Sequence, residues 1–565
     1  MGTVRSERRA TPLALGYFAL QVLFLCFASK AYILRIDDAY YYFGIARQVV
    51  ETGRFTFDGI HLASGFQPLW EFILVFVTWS ARTLGVEHRE TLVTLYLLVC
   101  VALNTAAFFV LVRLGQKLFN ESSSSAHVFV FAAVWFPGLT TSLLCGMENS
   151  LDWLLLLCLM LVLTGDNGRP SLASATTRRK VLLVLVSLLL VYTRLDNVVI
   201  LGVAAAYFLV TERSGQTVRN VLAWGAVTFA LVVPLVVWQW QVFGSPLPLS
   251  GAVKLWRTST MVESMGVFEY SLAAVEAFAL SAVAIPLAAL GMGYYEIVKP
   301  LILRMGFQKV ICIMGATLML IVVGGVIVSR RLNLSVSRRS TPASLPFLGI
   351  ICAVHLAVNS ALFPQQWRYA GLVWYFLVEY LFLFLVLAWF LGSLFEKSSS
   401  FSARWVLRVA LVLYVAAFAP MLLWRPNLPT EQQLKYLGAE WINTNLPKDA
   451  LVGAFNAGVT GYYANVPVVN LDGLVNDIHF FEDYLKKNRV RDYLLDNRIT
   501  HVADHWCPPG GSGWFWDWVR VPEEGEIRFS QEGNERGLSF CVIEMNKLRR
   551  VQRNFVNNGL QPHLE

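Results

Sequence analysis

Apolar and polar positions alternate along this chain on the scale of a lipid bilayer. Apolar runs occupy Thr11 to Leu34 and then about 69–86, 91–113, 125–145, 150–165, 181–193, 198–211, 220–242, 268–296, 308–329, 344–363, 370–393 and 404–424. Most are near the ~20 residues that a helix needs to cross a hydrocarbon core of roughly 30 Å. After Trp424 the pattern changes, with Pro426 and Pro429 followed by charged and aromatic sequence to Glu565. There "ALVGAFN", "VPVVNLDG" and "RITHVADHW" predict short buried strands, and "IHFFEDYLKKNRVRDYLLDN" predicts one amphipathic helix between the last two. The expected fold is mainly α: a polytopic transmembrane region over 1–424 and a small α/β domain over 425–565.

Charge decides which runs cross. If all of them span, the basic loops "RPSLASATTRRK" and "SRRLNLSVSRR" fall on opposite sides, which no charge rule allows. If instead 69–86, introduced by "GFQPLW", and 268–296, which contains Glu276 and Pro286, lie in or re-enter the outer interface, eleven spans remain. The inside loops then hold the dense basic clusters Arg5, Arg8, Arg9; Arg169, Arg178, Arg179, Lys180; and Arg330, Arg331, Arg338, Arg339. This topology predicts a multi-pass protein of the cell (inner) membrane, with a cytoplasmic N-terminus and an extracytoplasmic C-terminal domain. The runs 181–193 and 198–211 are each too short to cross and read as a hairpin, with the tip "TRLDN" below the outer membrane surface.

Composition agrees. Of 565 residues, 56% are hydrophobic and 15% charged, and the mean hydropathy of +0.54 exceeds what a soluble core needs. The first run is longer than a signal-peptide core and ends without a small-x-small cleavage pattern, so it reads as a retained span. The net charge of +8 sits at the ends of apolar segments, which writes membrane orientation rather than nucleic-acid binding. Six cysteines lie in or beside apolar runs as small hydrophobes, while Cys507 and Cys541 either pair in an oxidising compartment or stay as buried thiols.

The chemistry-bearing residues gather on the outer side of this topology. Asp37 and Asp38 stand in "LRIDDAYYYFGIARQVVETG", where the chain leaves its first span; Glu148 lies in "CGMENS", Arg194 and Asp196 in "TRLDN", Lys254 in "FGSPLPLSGAVK" and Arg368 in "PQQWRY". Ionisable groups at membrane depth are costly and mark a pathway or an active site. Blander roles exist for each. The aspartates and Glu148 could cap the helices behind them, Arg194 and Asp196 could form a structural ion pair, and Lys254 and Arg368 could be interfacial anchors.

Taken together, "DDAYYYFGIARQVVETGRFTFDGIHLASGFQPLW", "GMENSL", "YTRLDN", "FGSPLPLSGAVK", "WRY" and "VVNLDGLVND" resemble the C-type (GT-C) glycosyltransferases that use polyprenyl-phosphate sugars. The likeness is to the bacterial branch that includes the mycobacterial terminal arabinofuranosyltransferase and, more distantly, protein mannosyltransferases and the lipid A aminoarabinose transferase. The Trp-Trp-Asp motif of oligosaccharyltransferases is absent. The resemblance implies transfer of a hexosyl or pentosyl group to an acceptor hydroxyl on a glycan, lipid or protein, with inversion, from a catalytic outer loop at 35–90. It implies Asp37 or Asp38 as general base, Asp37 being favoured as the first acidic position, with Glu148 as a further acid. Lys254, Arg368 and Arg194 would hold the donor phosphate, and Tyr40, Tyr41, Gln67, Asp196 and Tyr369 would complete the site. No cofactor is obligatory, and a Mg or Mn ion is admitted. The rival reading is a transporter or lipid-linked-sugar flippase, which would more often show an internal repeat and has little use for an α/β domain.

Overall fold

The computed structural model describes residues 2–27, 36–119, 124–135, 137–165, 168–289, 342, 344–362, 375–397, 430–505, 526–532 and 539–545. The predicted runs 308–329 and 404–424, Arg368, Tyr369 and Cys507, with the proposed pairing of Cys507 and Cys541, lie outside the described residues. Among the described residues three helices are long and apolar enough to cross a membrane: Arg89–Leu118, Gly215–Phe243 and Ser344–Leu362. Shorter apolar helices include Asn149–Leu163 and Asn197–Glu212. Within the run at 125–145 the described residues include the helices Ser124–Trp135 and Pro137–Leu143, and a proline suits the opening turn of the second. The short pair forms as Thr177–Thr193 and Asn197–Glu212, of 17 and 16 residues, each about 25 Å long at 1.5 Å per residue. The first begins four residues before the apolar run, where the Thr176 hydroxyl accepts the Arg179 amide as an N-cap.

The chain divides into two compact units. One comprises Met1–Cys26, Leu97–Pro234 and Arg257–Leu422; the other comprises Phe27–Tyr96, Leu235–Trp256 and Leu423–Glu565. The second unit contains a five-stranded mixed sheet of β1 (Val452–Ala454), β2 (Val468–Asn470), β3 (His501–His505), β4 (Glu526–Glu532) and β5 (Ser539–Glu544), in the order β2-β1-β3-β5-β4. Strand β1 runs parallel to β2 and β3, and β5 antiparallel to β3 and β4. The first three strands lie in the stretches read as strands. The single amphipathic helix expected between β2 and β3 is instead a π-helical turn, Phe480–Leu485, and a separate helix, Val490–Asp496. Asn488 between them has φ 56°, a left-handed conformation that asparagine tolerates and that ends a helix.

The core of this unit joins Leu471, Phe480, Leu485, Tyr493 and Val502 to Leu249 and Val253, near the start of the helix Leu249–Met265. Burying Val253 fixes the backbone that carries Lys254. The helix Pro68–Thr83 contributes Trp70, Leu74 and Ala81 to the interior of the same unit, and with them Glu71, which is fully buried and has neither carboxyl oxygen hydrogen-bonded among the described residues. Burial pushes its pKa well above the ordinary carboxylate range, because desolvation disfavours the charged form. The unfolded chain ionises this group above about pH 4.3; stability is therefore lost as pH rises from there toward the raised folded value. Glu71→Met should melt higher than the parent, by about 1–3 kcal/mol for removing an unsatisfied buried group, and the gap should be wider at pH 8 than at pH 5. Thermal melts of the detergent-solubilised protein at the two pH values check this, and a gap that is absent or independent of pH counts against it.

Candidate active site

The helix Asp37–Thr52 starts at the first aspartate, after an extended Ile36, and no side chain caps its N-terminus. Asp37 caps a different helix. Its Oδ2 accepts the Gly458 amide at 3.2 Å and its Oδ1 the Val459 amide at 2.8 Å, at the opening turn of Gly458–Tyr463. Only glycine fits at 458, since a Cβ there would fall 2.2 Å from the Asp37 carbonyl oxygen. Lys435, 1% exposed, sets its ammonium 3.6 Å from Asp37 Oδ2 and 3.2 Å from Glu431 Oε1. The charges continue from Glu431 to His505, 4.0 Å away, whose Nδ1 lies 2.5 Å from Asp504 Oδ1. The other Asp504 oxygen accepts the amides of Phe455 and Asn456 at 2.8 and 3.2 Å.

Asp38 differs from its neighbour. It is half-buried, and among the described residues its carboxylate makes no hydrogen bond; the charges acting on it are those of Lys254 and Lys435. Burial pushes the Asp37 carboxyl up to about 6, with Lys435 and the Val459 amide pulling the other way. Burial also raises Asp38, against the pull of Lys254 and Lys435. A carboxylate raised toward neutrality is a better proton acceptor than one at its ordinary pKa. The tyrosines behind the pair are scaffold: the Tyr41 hydroxyl donates to Asp472 Oδ2 at 3.2 Å and accepts from the Ala457 amide and Asn470 Nδ2 at 3.1 and 3.0 Å. Tyr40 is buried against Phe43, Tyr462 and Tyr463. Gln67, just before Pro68, keeps a buried Oε1 with no hydrogen-bond partner among the described residues.

The remaining described residues read as a site from the sequence, Glu148, Arg194 and Asp196, belong to the other unit and form one cluster there. Arg194 grips Asp196 with two bonds, Nε to Oδ1 at 3.1 Å and Nη2 to Oδ2 at 2.8 Å, and gives Nη1 to Glu148 Oε1 at 3.2 Å. Its guanidinium carbon lies 4.7 Å from the centre of the Tyr375 ring. Glu148 and Asp196 precede helices, yet neither side chain caps one. Beside them Asn197 donates to Asp152 Oδ1 at 2.7 Å, and His355 Nδ1 lies 2.8 Å from Glu379 Oε1. Such buried pairs hold helices in register and are strongly destabilising when one partner is removed.

Several participants escaped the sequence reading. Lys435 lies on the stripe of Leu434, Gly438, Ala439 and Ile442 that its helix buries, and a lysine on an apolar stripe is the signal that marks it. Asp152, an acid inside an apolar helix, carries the same kind of signal. Glu431, Asp504 and His505 sit among ordinary surface-like sequence and give none. A divalent cation does not fit the aspartate pair, because Asp37 is engaged by two amides and an ammonium and the charges facing Asp38 are lysines. Among the described residues no group of three or more His, Cys, Asp or Glu side chains is placed to hold a metal.

The family model that matches covers residues 424–526 and is described as a domain of unknown function (DUF8728). No curated protein matches the chain in sequence. Among solved structures, the Archaeoglobus fulgidus oligosaccharyltransferase in complex with Zn and sulfate is similar at 12% identity and a TM-score of 0.45, over 83% of this chain and 64% of that one. This chain thus spans less than two thirds of that protein's length. The archaeal oligosaccharyltransferase AglB of the same organism, with an inhibitory peptide and a dolichol-phosphate, gives 14% identity and a TM-score of 0.45 over 87% and 69%. ArnT from Cupriavidus metallidurans bound to undecaprenyl phosphate gives 12% and 0.44 over 94% and 98%.

Proposed function

We propose that this chain is an integral-membrane glycosyltransferase of the C type, in the bacterial branch named above, that moves a sugar from a polyprenyl-phosphate donor to an acceptor hydroxyl on the extracytoplasmic side. The observation that carries the reading is the asymmetry of the aspartate pair. Asp37 is pinned by two amides and Lys435, while Asp38 keeps a carboxylate without hydrogen bonds among the described residues, with Lys254 and Lys435 acting on it. Asp38 takes the acceptor proton as the acceptor oxygen bonds to the anomeric carbon; the bond from that carbon to the donor phosphate breaks on the opposite side, inverting the centre. The phosphate departs with the electron pair and needs a cation rather than an acid, a part that falls to Lys254, with Arg368 proposed beside it on sequence grounds. The sequence reading further assigns Arg194 to the donor phosphate and Glu148 as a further acid, and the eleven-span topology would place the aspartates outside.

Donor binding tests the assignment of Lys254. Purified protein should bind a short-chain polyprenyl phosphate, and Lys254→Ala should weaken binding by about 1.5–3 kcal/mol, the worth of a hydrogen bond to a charged group, in isothermal titration. Equal affinity in the two folded proteins would remove the phosphate role from Lys254.

A further inference from the structure

The helix Pro68–Thr83 also has an open face, where Phe72, Phe76 and Trp79 are 45%, 65% and 55% exposed. Spacings of four and three residues align these rings in one stripe, and Arg82, three residues beyond Trp79, stands beside its end. Arg82 also lines a cleft of about 390 Å³ within the same unit, together with Arg47, Arg89, Glu51, Glu87 and Asn465. Each guanidinium offers five N–H donors, and the protein uses only some of them. Arg47 donates to the Tyr462 carbonyl, Arg89 to the carbonyls of Tyr463 and Ala464 and to Asn465, and Arg82 to Glu51. The Nε atoms of Arg47 and Arg82 are buried and have no hydrogen-bond partner among the described residues. Glu51 is already engaged by Arg82 and lies 3.6 Å from Arg47.

A cleft with spare guanidinium donors, adjoining an exposed aromatic stripe, suits a ligand that is an oxyanion at one end and apolar at the other. We propose that the cleft binds the phosphate of a membrane phospholipid head group, with the acyl chains lying along Phe72, Phe76 and Trp79. Arginine forks match phosphate oxygens two at a time, and a tryptophan such as Trp79 favours the level of the head groups. A free phosphate or an acidic glycan would use the arginines and leave the stripe unexplained. The site stands on the far turns of the helix that begins with the aspartates: Arg47 is nine residues from Asp38, about 14 Å along a helix, so it is separate from the proposed reaction centre.

Native mass spectrometry of the full-length protein released from detergent, with dioleoylphosphatidylglycerol, dioleoylphosphatidylethanolamine or dioleoylglycerol added, tests this. Both phospholipids should be retained and dioleoylglycerol should not. Preference for the ethanolamine lipid would assign its ammonium to Glu87, and preference for the glycerol lipid would make the site one for anionic lipids; either upholds the phosphate contact. Arg82→Gln and Trp79→Ser, with parental melting temperatures, should each lower phospholipid affinity at least fivefold. Equal retention of dioleoylglycerol, or unchanged phospholipid affinity in both variants, would overturn the proposal. So would tetragalacturonate binding to lipid-free protein that is lost in Arg82→Gln and kept in Trp79→Ser, which would assign the cleft to an acidic glycan.

Discussion

Asp38→Asn is expected to lower turnover by roughly 10²-fold or more, the usual worth of a positioned base, while leaving the melting temperature near that of the parent. The reason lies in what each aspartate already does. Removing the Asp38 charge breaks no hydrogen bond among the described residues, whereas Asp37 holds the amides of Gly458 and Val459 and faces Lys435. Asp37→Asn should therefore lose stability as well as rate. The pH profile separates the roles further. Asp38 acts as a base only when ionised, so activity should rise with pH through its raised pKa, and that limb should vanish in Asp38→Asn. Near-normal turnover in Asp38→Asn, with a parental melting temperature and a dead Asp37→Asn, would transfer the base to Asp37.

Lys435→Met should give the largest loss of stability, about 3–5 kcal/mol, the range for removing one partner of a buried ion pair. The cost falls on Asp37, because Glu431 has a side chain 40% exposed and water screens its charge. The sign of the pH dependence follows. An unfolded aspartate ionises near pH 3.9 and the folded Asp37 near 6, so the parent loses stability between those values and is level above the second as far as this group is concerned. Without the ammonium the folded value moves higher, and the variant should keep losing stability above pH 6, where the parent does not. Denaturation of parent and variant at pH 5, 7 and 8.5 reads this directly. A cost below about 1 kcal/mol with no pH trend would mean that Lys435 does not hold Asp37.

Much of this was legible in the sequence, and what was not has physical causes. The aspartate pair announces itself because two acids at the end of an apolar run oppose the environment they sit in. The strands at 452–454, 468–470 and 501–505 are visible as short buried runs. The helix from Ile478 onward was read as one piece because its periodicity runs unbroken through Asn488, and periodicity does not register a single left-handed residue. The charge chain Asp37–Lys435–Glu431–His505–Asp504 was invisible because its members lie up to 468 positions apart, and no local pattern encodes a contact between strand end, helix face and loop. The same holds for the difference between Asp37 and Asp38, which comes from the amides of Gly458 and Val459.

The most direct test of the central claim is sugar transfer by the purified protein in detergent, with a short-chain polyprenyl-phosphate sugar as donor and a panel of glycan, lipid and peptide acceptors. No ion or proton gradient exists in a micelle, so a transporter or flippase has nothing to do there. The account predicts a glycosylated acceptor of inverted anomeric configuration together with free polyprenyl phosphate, both formed roughly 10²-fold or more slowly by Asp38→Asn. Intact donor with every acceptor, alongside gradient-dependent movement of the same lipid-linked sugar across a vesicle membrane, would contradict it.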